Sequence, residues 1–237
     1  MLLRRFMQHV RVQDWFAVAL DILVVIIGIF LGLQFTEWHQ SRKDNEAGRE
    51  YLERILTDLN TSLEHQAFDL EFIGKNYEAY EFVLERLLAG ELSDEQRPAF
   101  NRGLTIGGRA NPIRYIETAF VELQSSGRVG LIEDVEVRKA LGDLSAYHDF
   151  KLIQMEYPHG SLTHSRNILK SYYFADWEEV GDYDFDELVN SKAFIRAARS
   201  LQKSYGTIRL FHRDFNEETL RVRDQVQAYL ELSREKD

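Results

Sequence analysis

The chain has 237 residues, with 29 Lys plus Arg against 39 Asp plus Glu, a formal net charge of -10, three prolines and no cysteine. That allows one domain of ordinary size with an appendage, and enough apolar residues for a core. The lack of cysteine excludes a disulfide framework, a thiolate nucleophile, an iron-sulfur cluster and a Cys-type zinc site. No run of basic residues is longer than two, which argues against a general nucleic-acid binder.

The first element is the apolar run from Trp15 to Phe35, broken only by Asp21 and Gln34. As a helix at about 1.5 Å per residue, Trp15 to Leu33 reaches roughly 28 Å, close to the hydrocarbon thickness of a bilayer. The uninterrupted part, Ile22 to Leu33, is 12 residues, a length that also suits a signal-peptide core or a buried soluble helix. Gln34, Phe35, Thr36, Glu37 and Trp38 follow it, where a cleaved signal needs small residues. Trp15 and Trp38 bracket it as interfacial aromatics would. The expectation is an uncleaved, single transmembrane helix over residues 15–35, preceded by a short cytoplasmic tail (1–14) and followed by a helical domain (36–237). Arg4, Arg5 and Arg11 precede the span, while Arg42, Lys43, Arg49 and Arg54 behind it are interleaved with acids. The positive-inside rule then places the N-terminus inside a bacterial cytoplasmic membrane and the acidic domain in the periplasm or outside the cell.

Within the span, Asp21, Val25, Gly28 and Gly32 fall at steps of four, three and four and so share one helix face. One reading is a helix-association seam, with the G-x-x-x-G of Gly28 and Gly32 admitting a close neighbour and Asp21 as its polar contact. The other is a hydrated carboxylate near the membrane edge with incidental glycines.

From Leu52 the sequence keeps a heptad rhythm through Leu56, Leu59, Leu63, Gln66, Leu70, Ile73, Tyr77, Tyr80, Leu84 and Leu87, which predicts a long striped helix continuing from the membrane segment. Intermolecular coiled coils and bundles share such a seam; the bulk of Tyr77 and Tyr80 favours a bundle. Ala89 to Asn111, with Gly90, Gly103, Gly107, Gly108 and Pro98, reads as a connection holding a short helix that starts with a capping box at Ser93 to Gln96. Asn111 and Pro112 predict a helix start, with Ile116, Phe120 and Leu123 on one face and Gly127 as its stop. A further helix is expected from about Asp134 to Tyr157, ending at Pro158. Asp184 and Glu187 open the last segment, whose stripe runs Phe194, Ala198, Leu201, Tyr205, Ile208, His212, Phe215, Thr219, Val222, Val226 and Tyr229. No stretch alternates at period two, so the fold class is all-α: a membrane helix running into a long helix that packs in an antiparallel bundle.

The run ALDILVVIIGIFLGLQFTEW resembles the opening of a bacterial family of single-pass membrane proteins classed as a domain of unknown function, with Asp21, Gly28, Leu33, Gln34 and Trp38 in the matching places. Ser125, Ser126, Gly127, Leu131 and Ile132 match a second family feature, a helix ending in Ser-Ser-Gly before a short apolar turn and a new helix. The chain departs in having Asp21 where Glu is more frequent and Thr-Glu-Trp where Asn-Asn-Trp is typical. The C-terminal third matches only in helical character. The resemblance implies location and architecture and supplies no catalytic residue.

Between Tyr172 and Glu187 six aromatic residues alternate with seven acids and no base. Asp182, Asp184 and Asp186 mimic the start of a calcium loop, but Glu187 stands at the required glycine and Ala193 at the bidentate acid, so an EF-hand fails. The segment reads either as an acidic turn whose aromatics cap the core or as a partner-docking surface around Trp177, Asp182, Asp184 and Asp186. His148, His159 and His164, at steps of 11 and five, fit no zinc motif. Ser125 and Ser126 lack a nucleophile elbow, and Gly107-Gly108-Arg109 matches no phosphate loop and reads as a flexible connection. The functional expectation is a non-enzymatic, membrane-anchored helical protein without cofactor or metal, binding a protein or envelope partner and self-associating through its span. A ligand-sensing bundle and an envelope hydrolase are the alternatives.

Overall fold

The computed structural model describes residues 15–175 and 179–234, and the side chains of 15–19 and of Asp21 lie outside the described part. The fold is all-α, with α1 Trp15–Ala89, α2 Arg97–Ile106, α3 Thr118–Ser125, α4 Val135–Leu169, α5 Phe185–Asn190 and α6 Lys192–Arg234. Its pairing outside helices, among the described residues, is one isolated bridge between Ala175 and Val180. Two compact units divide the chain, residues 1–49 and 50–237.

In the first unit α1 is a bare helix. The large apolar residues from Ile22 to Trp38 stay between 47% (Ile27) and 67% (Phe35) exposed, on every side of the helix. This is the one described helix long and apolar enough to cross a membrane. Past the apolar run the surface becomes polar, with Arg42 and Glu46 paired one turn apart and Arg42 stacked over Trp38 at 5.9 Å.

The second unit is built on three long helices. α6 returns antiparallel to α1: Arg234 reaches Glu53, Arg223 reaches Asn60, Asn216 reaches Gln66, and Tyr205 packs on Tyr80. It also runs antiparallel to α4, with Ser161 bonded to Ser200, Lys151 opposite Asp214 and Tyr147 stacked on Phe215. The stripe on α6 is buried as the heptad predicts from Phe194 to Val226, after which Leu230 rather than Tyr229 turns inward.

On α1 the buried face is rotated from the predicted stripe. Ile55, Ser62, Asp69 and Asn76 are buried in the turns where Leu56, Leu63, Leu70 and Tyr77 are only half-buried. The predicted helix start at Pro112 is the second departure, because residues 109–117 form no regular element and α3 begins only at Thr118. We term this segment the strap. One departure explains the other: a segment outside helix or sheet brings unpaired backbone groups into the interior, and α1 supplies polar side chains to meet them.

Pro158 does not end α4, which continues to Leu169. Proline removes one backbone donor, yet Pro158, Leu162, Ser165 and Leu169 prolong the face buried in the bundle, and that packing outweighs the lost bond. At Ser93 to Gln96 only one bond of the expected capping box forms, and α2 begins later, at Arg97, without a side-chain cap; the remaining caps act as expected. Gln96 Oε1 accepts from Ser93 N, Asp134 caps Val137 N at 2.9 Å, and Gly127 at φ 68° closes α3 while Arg128 N reaches Leu123 O. Asp184 caps α5, and Ser191 breaks it from α6 by accepting from Phe194 N.

Candidate functional site

The strap is held from three sides. On α1, Ser62, Gln66, Asp69 and Asn76 follow at steps of four, three and seven, which puts them on one face. Asn76 Nδ2 donates to Arg109 O, Gln66 Nε2 to Arg114 O, and Ser62 Oγ accepts from Ile116 N at 2.8 Å. Asp58 Oδ2 accepts from Ala119 N, extending the line into α3. From α6, Tyr205 Oη accepts from Arg109 N at 3.0 Å and donates to Ile106 O. His212 Nε2 lies 3.1 Å from Asn111 O. A carbonyl can only accept, so Nε2 carries the proton and Nδ1 is left a buried acceptor without a donor. From α4, His148 Nε2 faces Ile113 O, and its ring meets Tyr115 edge-on.

At the middle of this seam Asp69 accepts from Asn111 Nδ2 and from both Nε and Nη2 of Arg114, whose Nη2 also donates to His65 O. These are charge-assisted bonds made where water is excluded. Burial holds the His212 imidazole below its ordinary range, against the opposing pull of the Asn111 carbonyl and of Asp69. His159 on α4 is also held down by burial.

The second polar group lies where α2 passes into the strap. A Cβ at Gly107 would stand 2.5 Å from Tyr80 Oη, and one at Gly108, where φ is +81°, would stand 2.6 Å from Arg166 Cδ. The Gly107-Gly108 turn is therefore wedged between α1 and α4, rather than being the flexible connection expected. Burial raises the Tyr80 hydroxyl well above its ordinary range and pushes those of Tyr173 and Tyr205 up to about 12. Tyr173 Oη donates its proton to Leu104 O, and the Tyr80 hydroxyl, wholly buried beside it, interacts with that of Tyr173.

The residues singled out in the sequence are placed as follows. Gly28 and Gly32 lie in the bare part of α1, where an added Cβ would meet nothing within 4 Å. The side chain of Asp21, and Trp177 altogether, lie outside the described residues. Asp182, Asp184 and Asp186 are exposed, and Asp184 Oδ1 is spent on the Asp186 and Glu187 amides. The aromatics beside them turn inward: Tyr183 and Phe185 pack on Phe100, and Tyr172 and Tyr173 on Phe194. Tyr183 Oη donates to Asn101. Phe174 is the exception and stays exposed. Among the described residues no three His, Asp or Glu side chains group as a metal site.

Sequence reasoning missed both polar groups. The available signal was the alignment of Ser62, Gln66, Asp69 and Asn76 on one face of an otherwise apolar helix, which asks for a polar partner in the core. Comparisons of the chain with protein-family models, with curated proteins and with solved structures find no match.

Proposed function

We propose that this is a single-pass protein of a bacterial cytoplasmic membrane, N-terminus inside, which displays its helical bundle outside the cytoplasm as a non-enzymatic binding module for a protein or envelope component. The supporting observation is the bare helix from Ile22 to Phe35. Burying a Leu, Ile or Phe side chain is worth about 1.5–3 kcal/mol, and a soluble protein does not leave such a run exposed on all sides. A bilayer covers it at the right length. The Arg4, Arg5 and Arg11 tail supports the orientation, and the resemblance to single-pass proteins of unknown function belongs to the same proposal.

Self-association through the Asp21, Gly28 and Gly32 face is part of this reading. An uncovered glycine pair on a membrane helix lets a second backbone approach closely. The non-enzymatic reading draws support from the acidic segment, whose described carboxylates at Asp182, Asp184 and Asp186 stand in solvent.

The direct test is a pair of reporter fusions after Asp237, one active only outside the cytoplasm and one only inside. Activity of the external reporter alone supports the proposal. Activity of the internal reporter alone overturns the orientation. A Gly28→Leu, Gly32→Leu chain that self-associates like the wild type in a membrane two-hybrid assay removes the seam.

A further inference from the structure

We propose that the outward face of α4 is a docking surface and that its partner is a cationic amphipathic helix. This inference rests on the binding-module reading, to which it gives a surface, and is independent of the membrane orientation. α4 carries two apolar faces. One is buried in the bundle through Leu141, Leu144, Met155, Leu162 and Leu169. On the other, Ala146, Phe150, Ile153, Tyr157 and Gly160 follow at steps of four, three, four and three, so they share one line along the helix, and all five are exposed. Phe150 is 53%, Ile153 66% and Tyr157 85% exposed. With an aromatic side chain worth about 150–250 Å², the three present on the order of 400 Å², the size at which an apolar patch marks an interaction site. Phe68 and Leu88 on α1, and Leu210, Leu220 and Leu232 on α6, are exposed too, but they stand singly, too far apart in sequence to share a helical turn.

Two further features point to what covers the stripe. Gly160 stands inside a helix, where glycine costs about 1 kcal/mol against alanine, and a Cβ there would meet nothing within 4 Å. The described bundle makes no use of the missing side chain, whereas a helix laid on the stripe would use it for close backbone approach. The second feature is charge. From Ala140 to Ser165 the one Lys or Arg is Lys151, which is turned inward, 3.6 Å from Asp214 and 4.5 Å from the centre of the Phe211 ring. The exposed charges of the same stretch are Asp143, Asp149 and Glu156. Asp149 and Glu156 lie seven residues apart and so line one edge of the stripe. A two-fold antiparallel pair of α4 helices centred on Ile153 would set Asp149 of one copy opposite Glu156 of the other, so this edge opposes a second copy. A helix with apolar residues at i, i+3 or i+4 and i+7, and Lys or Arg beside them, matches both the stripe and its acids.

The test uses the full chain in nanodiscs of a zwitterionic lipid, which leave the bundle accessible whichever side it occupies in the cell. Two fluorescent three-heptad peptides are titrated against it by anisotropy, with empty nanodiscs subtracted. Both have Leu at every a and d position; one carries Lys at e and g, the other Glu. Saturable binding of the Lys peptide, about tenfold or more tighter than the Glu peptide, is expected. The Ile153→Ser, Tyr157→Ser double should weaken the Lys peptide about tenfold or more, as loss of two central anchors does. The Asp149→Lys, Glu156→Lys double keeps the stripe and should reverse the order of the two peptides. Thermal melts check folding, and the charge-reversal double decides if the serine double fails to fold. No binding of either peptide overturns the proposal. Wild-type affinity in both folded doubles also overturns it, by placing the peptide on another surface, and leaves the binding-module reading standing. The chain has no cysteine, so Ile153→Cys carries a single thiol. Disulfide-linked dimers of Ile153→Cys in oxidised membranes, above those of the exposed Asp182→Cys, would assign the face to a second copy and overturn the proposed partner; equal or lower linkage supports it.

Discussion

Asp69, wholly buried on α1, is gripped by Arg114 of the strap through both carboxylate oxygens, Nε to Oδ2 and Nη2 to Oδ1, at 2.8 Å each. The two partners are unequally placed, because the Arg114 side chain keeps 38% exposure and Asp69 has none. Removing Arg114 strands a buried negative charge with only Asn111 beside it. Arg114→Ala is therefore expected to cost about 3–5 kcal/mol. Removing Asp69 leaves an arginine that can turn to water, so Asp69→Ala should cost about 1–3 kcal/mol. Denaturant unfolding of the two variants checks the order; equal losses, or a larger loss for Asp69→Ala, would show that the pair is not desolvated as described.

The long helices and their antiparallel order were legible because period and length are local signals: the stripe from Phe194 to Val226 is buried as its spacing requires. The face of α1 was misread by part of a turn. Leu56, Leu63, Leu70 and Tyr77 outweigh Ile55, Ser62, Asp69 and Asn76 on any hydropathy count, and only the strap reverses their ranking. Asn111-Pro112 carries a sound helix-start pattern, but a local pattern does not know that His212, a hundred residues on, will take the Asn111 carbonyl. Pro158 was misread for the same reason, since the packing that carries α4 past it is tertiary. The tightness of the Gly107-Gly108 turn was hidden because it becomes visible only against Tyr80 and Arg166, which other parts of the sequence supply.

That turn can be tested at each glycine for a different cost. Gly107 has φ -53° and ψ 132°, which any residue adopts, so Gly107→Ala acts through overpacking against the buried Tyr80 ring. A loss of about 1–3 kcal/mol is expected. Gly108→Ala adds a left-handed backbone at φ +81° to a clash that includes Arg166 Cβ at 2.8 Å, which cannot swing away. It should lose more than Gly107→Ala, by about 1 kcal/mol. Tyr80→Phe removes the hydroxyl that a Cβ at Gly107 would meet at 2.5 Å, so it should cost about 1 kcal/mol by itself and recover part of the Gly107→Ala loss. Thermal melts of the three variants and the Tyr80→Phe, Gly107→Ala double decide; no recovery in the double would mean the strain lies elsewhere.

Acid should loosen the seam. His212 and His159 are both held below the ordinary histidine value, so in the fold they stay neutral where the unfolded chain takes up protons. Their contribution is complete above about pH 6.5 and is lost as pH falls from there through the lower folded values. Around His212 the Asp69 carboxylate and Asn111 carbonyl oppose this shift, while Arg114 and His159 reinforce it, and burial decides its sign. The unfolding midpoint should thus fall between about pH 7.5 and 5, and His212→Gln should reduce that fall. A midpoint unchanged over this range, or an equal fall in His212→Gln, would place the acid sensitivity on other groups.

The bundle is expected to stand without the first unit. Leu52 is the earliest residue of the core on α1, and the residues that hold the strap, from Asp58 to Asn76, all follow it. Residues 20–38 give no large apolar side chain to that core. A fragment of residues 50–237, the second compact unit, should therefore fold and remain in solution without detergent, with the helicity of its three long helices. Its stability should match that of the same unit in the intact chain within about 1 kcal/mol, because the core on α1 begins only at Leu52. The intact chain carries the exposed run from Ile22 to Phe35 and should partition into vesicles or require detergent. Circular dichroism and vesicle flotation of both chains make the comparison. A fragment that is unfolded in buffer would show that the core depends on residues before Glu50, and an intact chain that stays in the aqueous phase as a folded monomer would remove the anchor.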